Sequence, residues 1–151
     1  LAAASIGIFE ATIEKVVALA ILMPIVASMG GIAGSQSLAL VIRAQALDQI
    51  GYTNSKSLII KESAIGLLNG ILWSSVVAFL TYLWFGRIDL GFIIAAALMI
   101  NLIIGAISGV SLPLILTKLN IDPALAGGVI LTTITDVIGF ISLLGIASLM
   151  I

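Results

Sequence analysis

Charged residues divide the chain into long uncharged stretches. None occurs between Lys15 and Arg43, between Glu62 and Arg87, or between Asp89 and Lys118, and from Pro123 to Ile151 the single charge is Asp136. Each stretch exceeds the ~20 residues that a helix needs to cross a bilayer. The pattern predicts four full spans over about 14–43, 58–85, 90–117 and 123–150. Residues 1–10 are apolar and helix-compatible but too short to cross alone, and they read as the end of a truncated first helix. If the natural chain extends upstream, the span count becomes five. The expected fold is an all-α, polytopic membrane bundle.

Loop charges orient the spans. Arg43, Lys56, Lys61 and Lys118 fall on one face of the membrane, Lys15 and Arg87 on the other. By the positive-inside rule, the 43–61 and 118–122 loops lie in the cytoplasm of a multi-pass cell-membrane protein, and the C-terminus lies outside. Tyr82, Trp84 and Phe85 precede Gly86-Arg87, as an interfacial aromatic belt at a helix end requires. Trp73 lies in mid-span, facing lipid or a neighbouring helix. The four-residue spacings Gly66/Gly70 and Gly105/Gly109 suit close helix–helix approach.

Composition removes most other function classes. Apolar residues make up 62% of the chain, charged residues 9%, and the mean hydropathy is +1.35; a soluble domain carries ~25% charged residues. A net charge of −1 leaves no broad basic surface for nucleic acid. With neither histidine nor cysteine, thiolate and imidazole metal sites, disulfides and histidine-dependent nucleophilic catalysis are absent. Any metal must be held by oxygen, which favours hard cations such as Mg²⁺, Ca²⁺ or Mn²⁺. An intramembrane aspartyl protease needs two neighbouring aspartates, and Asp136 is the only one within a span. The chain is expected not to be an enzyme.

Two segments stand out against the apolar background. Asp136 lies about half-way along the last span, where a charge costs at least ~2.5–3.5 kcal/mol unless water, an ion or a partner receives it. It marks an ion or proton path, or else a carboxylate neutralised or hydrogen-bonded for packing. The second segment runs from Met23-Pro24 through Ser28, Gly30-Gly31, Gly34-Ser35-Gln36-Ser37. Proline removes a backbone hydrogen bond and glycine supplies no side-chain support, so a bend or an unwound turn is expected, with a kinked packing helix as the plainer alternative. On the last span, Gly128, Thr132, Thr135 or Asp136, and Gly139 share one small, polar face at helical spacing, opposite Ile130, Ile134, Val137 and Ile141. Hydroxyls beside a carboxylate suit a hydrated cation, because Mg²⁺ gives up its water reluctantly. One chain offers a single carboxylate. A symmetric homodimer brings two Asp136 side chains to a shared axis.

The run Gly30-Gly31-Ile32-Ala33-Gly34-Ser35-Gln36-Ser37, followed by Val41-Ile42-Arg43-Ala44, resembles the second-helix motif of the MgtE family of magnesium transporters. Ile121-Asp122-Pro123-Ala124-Leu125 and Thr135-Asp136-Val137-Ile138-Gly139 resemble that family's last helix, and Phe9-Glu10 with Glu14 its first junction. The resemblance implies a homodimer of five-helix transmembrane domains with a cation pathway at the dimer interface, lined by the second and fifth helices. It implies a hydrated Mg²⁺ at Asp136, pore-lining roles for Ser28 and Gly31, and cytoplasmic regulatory domains that are not in this sequence. With Ser35, Gly128, Thr132 and Thr135 from the polar faces, these residues form the expected site. The family pattern carries asparagines where this chain has Ile32, Ser35 and Gly128, so Mn²⁺, Co²⁺ or Ca²⁺ is expected to compete with Mg²⁺. The rival readings are a non-transporting membrane scaffold or assembly subunit, and a cation/proton or cation/sodium exchanger.

Overall fold

The computed structural model describes residues 1–48 and 55–151, all of whose regular structure is helical. Two short helices, α1 (Ala2–Gly7) and α2 (Glu10–Lys15), precede four long ones, α3 (Ala18–Ala46), α4 (Ser55–Phe85), α5 (Ile88–Lys118) and α6 (Pro123–Met150). All four long helices are long and apolar enough to cross a membrane. Residues 49–54, within the expected 43–61 loop, lie outside the described residues.

The turns are encoded locally. At Val16 the backbone leaves the helical region, with φ −137° and ψ 85°, which ends α2 and makes α3 start at Ala18. Gly86 adopts φ +65° and its N–H reaches Tyr82 O at 2.9 Å, so glycine ends α4 in the left-handed conformation that a side chain disfavours. Arg87 is extended, and α5 begins at once. Between α5 and α6, Asn120 takes the left-handed position with φ 57°. Ile121 N–H then bonds Leu116 O at 2.9 Å and Asn120 N–H bonds Thr117 O at 3.1 Å, a paired closure of the last helical carbonyls. Asp122 caps α6 by accepting from Ala124 N–H at 2.8 Å, and Pro123 occupies the first helical position, where its missing N–H costs nothing.

Helix α5 is the central post. More than half of its most apolar stretch is buried, against a third or less for the other spans. Helices α3, α4 and α6 pack around it, α3 also touches α6, and α1 lies against α6. Glycines set the α3–α5 crossing. A Cβ at Gly105 would sit 2.5 Å from Gly30 O, and one at Gly109 would sit 2.3 Å from Gly34 O. Backbones therefore meet directly, the close approach that small residues permit in membranes. Gly66 and Gly70 of α4 make room for side chains of α5, Ala106 Cβ and Met99 Sδ, each 2.8 Å from a Cβ placed there.

One expectation changes here. Helix α3 is continuous through Pro24 and the glycines, so no turn is unwound. Pro24 sits in the second turn, where the forfeited bond is to Ala20 O near the helix start, and Gly30 and Gly34 pack against α5 where side chains of their own would not fit. Leu19, Leu22 and Val26 of α3 join Leu90, Ile93, Ile94, Ala97 and Leu98 of α5 and Leu143, Leu144 and Ala147 of α6 in one apolar core. Helix α4 turns its outer surface to the hydrocarbon. Trp73 is exposed on it, and Trp84, 84% exposed, packs its ring beside Phe85 at the span's end.

Candidate functional site

Where α3 and α6 diverge at mid-span they leave an open groove of about 610 Å³. Its α3 wall is formed by Ala27, Ser28, Gly31, Ile32, Ser35, Gln36 and Ala39, and its α6 wall by Thr132 and Asp136. Both walls follow from helix geometry. Residues 27, 31, 35 and 39 and residues 28, 32 and 36 are two adjacent four-residue series on α3, and Thr132 lies one turn from Asp136.

Asp136 is the one charged side chain of the groove lining among the described residues. Asp136 is half-buried, and among the described residues no side chain donates a hydrogen bond to it or pairs with it. The Thr132 hydroxyl donates to its own helix, at Gly128 O (3.0 Å) or Val129 O (3.1 Å). That leaves the oxygen's lone pairs for a donor in the groove. The water shell of a cation is such a donor. No group of three or more aspartate or glutamate side chains is assembled among the described residues, and Asp136 is the one carboxylate lining the groove.

The sequence-expected residues are not all brought together. Ser28, Gly31, Ser35, Thr132 and Asp136 line the groove. Gly128 lies two turns from Asp136 on the same exposed stripe, with nothing within 4 Å of a built Cβ. Thr135 is fully buried behind the α3 wall; a Cβ at Gly31 would lie 3.7 Å from its hydroxyl, which donates to Leu131 O and Thr132 O. The stripe expected on α6 is therefore two stripes. Thr132 and Asp136 line the groove, with Gly128 exposed further along their stripe, whereas Leu131, Thr135 and Gly139 face the bundle. Gln36 is a groove residue that the sequence reading did not single out. Extending the series from Ser28 by two four-residue steps reaches it.

Comparison with known proteins gives the family. The MgtE family model, described as a divalent cation transporter, matches residues 23–146. The chain belongs to the MgtE family. It is 39% identical over 95% of its length to the magnesium transporter MgtE of Bacillus subtilis (strain 168). Over the same share it is 32% identical to the magnesium transporter MgtE of Thermus thermophilus, and it is 29% identical over 97% of its length to that of Enterococcus faecalis. It spans about a third of the length of these curated relatives, 32% in each case. MgtE proteins are transporters, not enzymes, and the four apolar helices make this chain a multi-pass membrane protein.

Proposed function

We propose that this chain carries a hydrated divalent cation, Mg²⁺ foremost, across the membrane along the α3–α6 groove, with two copies of the chain pairing their Asp136 carboxylates. The observation that carries the reading is Asp136 itself: a carboxylate half-way along a membrane-crossing helix, open to a groove and without a partner among the described residues. Such a charge is costly in hydrocarbon and cheap beside a hydrated cation. The relatives named as magnesium transporters support Mg²⁺ as the ion.

Ser28, Ser35, Gln36 and Thr132 supply side-chain oxygens to the ion's water shell, and Gly31 leaves it room. Thr135 backs the wall, and Gly128 continues the stripe toward the start of α6, which the loop charges place in the cytoplasm. Homodimerisation completes the path. Ile32 (57% exposed) on the α3 wall and Leu125 (80%) and Val129 (70%) on α6 are exposed apolar side chains of the two helices that form the groove, and an isologous interface closes both grooves at once. The C-terminus then lies outside.

Reconstitution into proteoliposomes tests the reading. An entrapped Mg²⁺ indicator should report flux that needs neither a proton nor a sodium gradient; flux only under such a gradient would identify an exchanger, and none at all a scaffold. Assembly has its own test. The chain has no cysteine, so Thr132→Cys, on the exposed groove stripe, should yield a disulfide-linked dimer on oxidation in membranes. Monomer at every oxidant concentration, there and at Ser28→Cys, would place the pathway within one subunit.

Selectivity follows from the donor set. Mg²⁺ is recognised through its retained waters, so an outer shell with few amide groups discriminates weakly. Mn²⁺, Co²⁺ or Ca²⁺ should compete with Mg²⁺ at comparable concentration. Ser35→Asn with Gly128→Asn, two positions with open space or groove before them, should raise the Mg²⁺ preference several-fold in competition flux. A parent strict for Mg²⁺ would show that Asp136 and backbone carbonyls suffice.

A further inference from the structure

Asn101 lies on α5, the one long helix among α3, α5 and α6 that contributes nothing to the groove lining. Its side chain is fully buried and enters a notch cut from both neighbours. A Cβ at Gly30 of α3 would lie 2.2 Å from Asn101 Nδ2, and one at Gly139 of α6 would lie 2.8 Å from it. Both helices give up a side chain at the level where the amide sits. Asn101 Nδ2 donates to Val26 O at 2.7 Å, crossing from α5 to the α3 backbone.

Packing alone does not explain the amide. Asn101 Oδ1 is buried with no donor, a desolvated acceptor that a leucine of similar bulk would not leave. Turning the amide over does not help, since Oδ1 would then face Val26 O, acceptor against acceptor. What the asparagine adds is a directional tie to one carbonyl of α3. That carbonyl and the two glycines adjoin the groove walls: Val26 and Gly30 flank Ala27, Ser28 and Gly31, and Gly139 lies three residues beyond Asp136.

We infer that Asn101 is a positioning residue that sets the separation of α3 and α6 at the groove, and through it the fit of the hydrated cation to Asp136 and the α3 hydroxyls. The inference rests on the transport reading above. Without the tie, α3 is free to shift against α5 beside the α6 notch, the water shell meets fewer oxygens at once, and affinity falls while the permeation path stays open.

Flux in proteoliposomes, measured against Mg²⁺ concentration, tests this with Asn101→Leu, which keeps bulk and removes the donor. The half-saturating concentration should rise about fivefold with maximal flux within about twofold of the parent. Asn101→Ser, too short to reach Val26 O, is the second variant should the leucine not fold, and the same split is expected. Leu98→Ala, a buried apolar truncation one turn along α5, should lower thermal stability and leave half-saturation unchanged. A second readout is independent of flux: with cysteines at Ser28 and Thr132 carrying spin labels, the α3–α6 distance distribution should broaden or lengthen in Asn101→Leu. Parental half-saturation and an unchanged distance in both Asn101 variants overturn the inference. If Asp136→Asn also retains parental flux, the transport reading itself falls and takes the inference with it; if Asp136→Asn loses flux, only the role of Asn101 is refuted.

Discussion

Asp136→Asn should lower divalent-cation flux by more than tenfold while the protein still folds and inserts. The substitution keeps the side chain's shape and removes its charge. Two unit charges 4 Å apart interact by about 1 kcal/mol at the dielectric of water and about 4 kcal/mol at an effective dielectric near 20, and a divalent ion doubles both. Even the lower figure, about 2 kcal/mol, exceeds the ~1.4 kcal/mol that makes a factor of ten. Folding survives because no hydrogen bond or ion pair to Asp136 is lost among the described residues and a charge is removed from the middle of a span, which relieves a cost. Flux assays at matched protein density, with thermal melting in detergent alongside, give the answer. Parental flux in this variant would end the proposal that the groove is the pathway.

Gly109→Val should destabilise the bundle by about 3 kcal/mol and sharply reduce the amount of folded protein recovered from membranes. Overpacking costs ~1–3 kcal/mol where side chains can move aside, and more where they cannot. Here the obstacle at 2.3 Å is the Gly34 carbonyl, with Ser37 Cβ at 2.8 Å; a helical backbone has no rotamer to change. The clash would pry α3 from α5. Gly145→Ala is the matched control, since its Cβ meets only the Phe9 ring at 3.8 Å. Removing a glycine from a helix interior is worth ~0.5–1 kcal/mol, so Gly145→Ala should melt at or slightly above the parent temperature. Equal melting of Gly109→Val and the parent would show that the α3–α5 contact is looser than described.

Much of this architecture is legible in the sequence because its causes are local. Uncharged runs longer than a bilayer is thick specify spans whatever packs beside them. Asn120, Asp122-Pro123 and Gly86 end and start helices through their own backbone preferences. Asp136 is conspicuous for the same reason, since a charge at the middle of a span is costly whatever its sequence neighbours are. Other features needed neighbours. The α3 glycines suggested a break, yet Gly30 and Gly34 are notches for α5, and only the partner helix distinguishes absent support from room for a neighbour. Thr135 and Asp136 are adjacent in sequence and point about 100° apart on a helix, so one is buried in the bundle and the other faces the groove; the sequence reading held them on one stripe because helical periodicity cannot say where a neighbour's surface ends. Asn101 is one amide in an apolar run along the chain, and only the fold sets Gly30, Gly139 and Val26 O around it. The sequence by itself determined the number of spans and the position of the charge, both of which follow from the exchange of water for hydrocarbon one helix at a time. Tertiary structure decided which face of α3 meets which face of α6 and what holds them apart, because those depend on the close packing of surfaces more than 70 residues distant along the chain.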